Sequence, residues 1–197
     1  MVRHFTASPR ALAQGRVWTL LTSTVSHVHA HHLLANLLAL SQVGSHLALR
    51  IPCRAFAELV LAGALASSTA SVLWSWCERQ PSAPSLGASG LVLALLSAHA
   101  TLNPDALCTL YGLDMTAAQA VIVQVGIDCA LAAMDAQDHW PRGRGGAYNA
   151  PRREPATIHR VDVAAHIGGA LCGWYCARHI WAGHGSWSWA KRIAMRR

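Results

Sequence analysis

The sequence predicts an all-α fold, a polytopic bundle of membrane-spanning helices. Three observations carry that prediction. Of the 197 residues, 53% are hydrophobic and 13% are charged, against roughly 25% charged in soluble domains. The apolar residues gather into five runs, Leu33–Leu49, Ala55–Trp76, Leu86–Leu102, Ala117–Met134 and Val161–Trp181, and crossing a bilayer takes about 17–25 such residues. The 16 Lys and Arg fall almost entirely between these runs. A soluble bundle would need a polar stripe on each helix, and Leu33–Leu49 and Leu86–Leu102 have none. The net charge of +7 sits at run edges and in one connecting stretch, without interleaved aromatics. That pattern points to phospholipid head groups, including anionic lipids, and away from nucleic acid. The six cysteines include no Cys-x-x-Cys and read as packing residues, with no metal site, cofactor or disulfide framework implied.

Residues 1–30 read as an N-terminal segment and re-entrant or interfacial loop. Arg3, Arg10 and Arg16 occur there without an acid, superficially like a transit peptide, and Trp18-Thr19-Leu20-Leu21 suits an interface equally well. The membrane domain then runs over 31–181. His27, His29 and His31 alternate, and His29 and His31 read as solvated or adventitiously metal-binding. His32 and Asn36 lie four apart, on one helical face. Asn36 stands inside an apolar run, where an unsatisfied amide is costly and usually functional.

In the second run, Ala62-Gly63-Ala64 and Ser67-Ser68 permit close helix packing, and Glu58 is given a structural role only. Pro81-Ser82-Ala83-Pro84 is loop chemistry. It precedes Ser85-Leu86-Gly87-Ala88-Ser89-Gly90, which places a serine in the first turn of an uncharged apolar helix, flanked by Gly87 and Gly90. Gly-x-Ser-Gly alone is a weak pattern, equally compatible with Ser89 capping its own turn. It differs from the Gly-x-Ser-x-Gly elbow of α/β-hydrolases, which follows a buried strand. Asn103-Pro104 ends that helix. Gln124 and Asp128, four apart in the fourth run, face the bundle interior and read as a packing hydrogen bond, with a chemical role as the alternative.

Residues 135–160 are the one long connection, rich in Arg, Gly and Pro and expected to be disordered. Its arginines would draw it towards anionic lipid. Asp162 reads as the cap of the last helix, His166 follows one turn later, and Gly169 and Gly173 form a Gly-x-x-x-Gly contact face. Residues 182–197 are a basic tail. If the five runs cross in turn, the first, third and fifth point the same way. Their N-terminal ends carry His32 and Asn36, Ser89, and His166, so these groups share one side and a similar depth.

With those residues assembled, the chain resembles the rhomboid intramembrane serine proteases. The matching stretches are His32-x-x-x-Asn36 with His27 five residues before, Gly87-Ala88-Ser89-Gly90, and Ala165-His166-x-Gly168-Gly169-x-x-x-Gly173, in the family's order. Ser85–Gly90, Asp162–Leu171 and His4-Phe5-Thr6-Ala7-Ser8-Pro9 are most similar to the mitochondrial presenilin-associated rhomboid-like branch. The resemblance implies that core helices two to six are present and that helix one is missing. It further implies that Ser89 is the nucleophile and His166 its base. His32, Asn36 and the Ser89 backbone N–H would bind the oxyanion, with no cofactor and no metal. The substrates would be transmembrane protein segments with small or helix-breaking residues, and the location the mitochondrial inner membrane. Leu93 stands where many bacterial members place a tyrosine, and the 135–160 connection is longer than is usual in the family.

Other classes make different demands. A catalytically inactive or truncated rhomboid-like protein that binds transmembrane clients is the main alternative. A transporter should show an internal repeat, and none is visible. Nine Lys and Arg on the side of the candidate site against seven on the other do not define an orientation.

Overall fold

The structure is a computed structural model that describes residues 2–138 and 162–180. The basic tail at 182–197 and all but the first few residues of the 135–160 connection lie outside the described residues.

The chain starts with short elements that never leave the N-terminal region. Helix α1 (Pro9–Ala13) has a proline in its first turn, and the Ser8 hydroxyl accepts the Ala11 N–H at 3.1 Å. A proline costs nothing at that position because its missing N–H has no intrahelical acceptor. Helix α2 (Thr19–Thr22) passes into a 3-10 turn at Ser23–Val25. Helix α3 (Ala30–Ala39) continues through a π-helical turn at Leu40–Gly44 into α4 (Ser45–Ala48), so this apolar run forms one helical stretch.

Helix α5 (Cys53–Cys77) has 25 residues and a mean hydropathy of 1.6 over its most apolar part. Among the described residues it alone is long and apolar enough by itself to cross a membrane. Helix α6 (Ser89–Leu102) is shorter and central, with every residue from Gly90 to His99 buried. Helices α7 (Ala117–Asp138) and α8 (Val163–Tyr175) complete the bundle, and a π-helical turn extends α8 over Cys176–Ile180.

Between α6 and α7 lies a hairpin to which the sequence reading assigns no element. Strand β1 (Leu107–Leu110) pairs antiparallel with β2 (Leu113–Thr116), with Leu107 opposite Thr116 and Leu110 opposite Leu113. The two turn residues, Tyr111 at φ 54° and Gly112 at φ 79°, both adopt the left-handed region that a two-residue hairpin turn requires.

Helix α8 packs into the groove between α5 and α6. The absence of side chains makes this approach feasible. A Cβ on Gly169 would be driven into the Gly90 carbonyl, one on Gly173 into the Ala94 carbonyl, and one on Gly168 into Ala70. The core beyond this contact is apolar and includes Leu47, Leu59, Leu91, Leu95 and Leu96. The outer surface is apolar as well. Leu34, Leu38, Leu73, Trp74, Ile122 and Leu171 are all exposed, as suits helices whose outer solvent is lipid.

Candidate active site

Ser89 owes its position to the loop before it, and the N-terminal segment holds that loop. The Arg10 N–H donates to the Pro81 carbonyl at 2.8 Å. Ala7 and Ser85 form a two-bond antiparallel bridge at 3.0 and 2.9 Å. The Gly87 N–H donates to the Ser23 carbonyl at 2.9 Å. Gly87 takes φ +118°, and a Cβ there would stand 2.9 Å from His32 Cε1. The position therefore requires glycine twice, for its backbone angle and for the ring beside it. Ala88 is the N-cap of α6, with no side-chain capping bond, and Ser89 is the first helical residue.

The Ser89 hydroxyl meets helix α8. Its Oγ lies 2.7 Å from His166 Nε2, and His166 is 6% exposed. The start of α8 is fixed by Asp162, whose Oδ1 accepts the Ala165 N–H at 3.0 Å while its Oδ2 accepts the Ser71 hydroxyl. Asp162 is therefore a cap that also ties α8 to α5. The other imidazole nitrogen, His166 Nδ1, lies 2.6 Å from Asp128 Oδ2, with Asp128 1% exposed. Asp128 Oδ1 accepts from Gln124 Nε2 at 3.0 Å, and Gln124 Oε1 accepts the Tyr111 hydroxyl at 2.7 Å. The Gln124–Asp128 hydrogen bond read from sequence is present. Its second partner, His166, is what sequence reasoning missed. An acid in an apolar helix was the available signal, but the rotation of α7 that aims it at α8 is a tertiary property.

Asn36 is 6% exposed, and its Nδ2 donates to the His32 carbonyl at 3.0 Å. The His32 ring rests against Gly87 and meets His27 edge-on at 5.1 Å. His27 Nε2 accepts the Ala88 N–H at 3.4 Å, and burial pushes this imidazole below its ordinary pKa. The structure thus gathers His32, Asn36, Ser89 and His166 around one cavity of about 510 Å³, with His27 behind its wall and Asp128 in its lining. Gly90, Gly169 and Gly173 lie in the helix contact beneath it.

Among the described residues, no cluster of three or more His, Cys, Asp or Glu could hold a metal ion. The His29 and His31 rings stack on one another at 5.1 Å.

Fold and site together define a class: a helical membrane bundle with a hydroxyl and an imidazole hydrogen-bonded beside a half-open cavity. Residues 14–182 match the Rhomboid domain, and the chain belongs to the rhomboid family. It is 28% identical over 179 residues to the mitochondrial presenilin-associated rhomboid-like protein A of Danio rerio, covering 89% of this chain and 40% of the relative. RHOMBOID-like protein 12, mitochondrial, of Arabidopsis thaliana is 32% identical over 124 residues, 56% of this chain and 36% of the relative. Rhomboid-like protein 16, chloroplastic, of Arabidopsis thaliana is 38% identical over 68 residues, 34% of this chain and 21% of the relative. The matched regions thus cover less than half the length of these curated relatives. No solved structure matches the chain.

Proposed function

We propose that this chain is an intramembrane serine endopeptidase that cleaves transmembrane segments of other membrane proteins. The observation that carries this reading is the 2.7 Å contact between Ser89 Oγ and His166 Nε2 inside the bundle. A serine hydroxyl is a weak nucleophile until an adjacent base takes its proton. As Ser89 Oγ bonds to the scissile carbonyl carbon, its proton passes to His166 Nε2. The same proton then goes to the leaving amine as the C–N bond breaks. A water molecule repeats the sequence on the acyl-enzyme and frees Ser89. The cavity of about 510 Å³ gives that water and an unwound stretch of substrate a place beside the serine.

The developing oxyanion would be met by the Ser89 backbone N–H, by the Asn36 amide and by the His32 ring. A first-turn N–H has no intrahelical acceptor, and the helix dipole adds to its attraction for negative charge. The five helical stretches cross the bilayer in turn, with these groups at one depth. The mitochondrial inner membrane is the proposed location, supported by two relatives whose names say mitochondrial. Contact with anionic head groups is supported by 16 Lys and Arg against 9 Asp and Glu.

The test is direct. A fluorophosphonate should label the full chain in membranes, and the chain should cleave a reporter carrying a transmembrane segment. Ser89→Ala and His166→Ala should each abolish both signals while still accumulating in membranes. Cleavage that persists in Ser89→Ala ends the protease reading. A wild type that neither labels nor cleaves, yet retains transmembrane partners, is instead a client-binding rhomboid-like protein.

A further inference from the structure

We propose that Asp128 is a positioning residue for His166, so that the site works as a serine–histidine–aspartate set with Gln124 and Tyr111 holding the aspartate. The inference rests on the protease reading above and adds to it a residue outside the Ser89–His166 pair. An ionised carboxylate can only accept hydrogen bonds. With Asp128 Oδ2 at 2.6 Å, the ring proton of neutral His166 is therefore assigned to Nδ1. That leaves the Nε2 lone pair facing the Ser89 hydroxyl at 2.7 Å. This is the tautomer a general base needs. When Nε2 takes the serine proton, the resulting imidazolium stands beside an anion in surroundings of low dielectric, where attraction between opposite charges is strong.

The rest of the arrangement fits a fixed aspartate. Gln124 lies one helical turn before Asp128, and its amide N–H donates to Asp128 Oδ1. That amide's carbonyl oxygen is occupied in turn by the Tyr111 hydroxyl. Tyr111 stands at the hairpin turn with a left-handed backbone, a conformation that costs a non-glycine residue energy and that here places its hydroxyl on Gln124. The chain of bonds from Ser89 through His166, Asp128 and Gln124 to Tyr111 gives each acceptor a donor. The neighbouring acid, Asp162, is engaged elsewhere, its two oxygens serving the Ala165 N–H and the Ser71 hydroxyl.

The test measures cleavage and fluorophosphonate labelling of the full chain in proteoliposomes. Asp128→Asn keeps the shape but offers an amide that can donate to Nδ1 and drive the ring proton to Nε2. It should lower kcat by about 10⁴-fold, the loss seen when a triad aspartate is replaced, while KM stays within about twofold. Nitrogen-15 spectra should show the His166 proton on Nδ1 in the wild type and on Nε2 in Asp128→Asn. Wild-type kcat in Asp128→Asn overturns the proposal, and so does a loss of activity with an unchanged tautomer, which would mark a structural role only. If Asp128→Asn does not accumulate in membranes, Gln124→Leu decides. It frees one carboxylate oxygen without touching His166 and should lower kcat about tenfold, and unchanged kcat there also overturns the proposal. A wild type that fails to label refutes the protease reading itself, which separates the two failures.

Discussion

Asn36 spends one amide hydrogen on the His32 carbonyl one turn back and keeps a second, since an amide nitrogen carries two. On the proposed reading, Asn36→Ala should therefore remove one oxyanion donor and leave the nucleophile and base in place. The expected loss is about 10²–10³-fold in kcat with residual cleavage, read in the same reporter assay. His27 makes a different prediction. Its folded pKa lies below the ordinary value of 6.5, chiefly through burial, so the fold favours its neutral form. Stability from this group is present above that value and declines as pH falls through the lower folded pKa. Melting in detergent should show a drop on acidification that His27→Gln, whose amide oxygen can still accept the Ala88 N–H, makes shallower.

At this scale the sequence was informative where a polar group interrupts an apolar run. Asn36, Ser89 and His166 stand out for that reason, and so does Asp128. What the sequence does not contain is direction. Asp162, the nearer in sequence, was legible as a cap, whereas only the packing of α7 on α8 shows that Asp128 is the acid beside the His166 ring.

The contact between α6 and α8 is made by backbone on backbone. Gly169 meets the Gly90 carbonyl and Gly173 meets Ala94, so any added side chain must push the helices apart. Gly169→Val should cost about 1–3 kcal/mol by overpacking, read as a lower melting temperature. It should also slow fluorophosphonate labelling, because the same contact sets the Ser89–His166 distance. Gly112→Ala is milder. At φ 79° a Cβ costs roughly 1–2 kcal/mol, and a loosened hairpin turn should show first as altered kinetics through Tyr111. The helical, membrane-embedded character of the chain was legible in composition because lipid demands long uncharged segments. The hairpin was not. Four-residue strands with mixed exposure carry too short an alternation to rise above loop sequence, and a tyrosine is an unusual residue for the first position of such a turn.

Taken as a whole, the molecule gathers its site from positions far apart in the chain: Asn36 on α3, Ser89 on α6, Asp128 on α7 and His166 on α8. The N-terminal segment serves the same end by clasping the loop before Ser89 through Ala7, Arg10 and Ser23. Removing residues 1–13 deletes the first two of these ties. It should reduce labelling of Ser89, since both ties hold the loop that leads into it, and lower the melting temperature as well, since Ala7 and Ala11 are buried.

The glycine groove on α6 also has a bearing on biosynthesis. On the proposed reading the ribosome delivers the nucleophile Ser89 with α6, and its base His166 arrives only later, with α8. Until then Gly90 and Ala94 lack the α8 backbone that packs on them and Ser89 lacks its His166 partner, so on that reading a chain without α8 should not label. The open groove is equally a receptor for its own last helix. Two co-expressed pieces, residues 1–150 and 151–197, should reassemble and regain fluorophosphonate labelling that neither piece shows by itself. Absence of labelling when both pieces are present in the membrane would mean that the last helix must be delivered by the same chain.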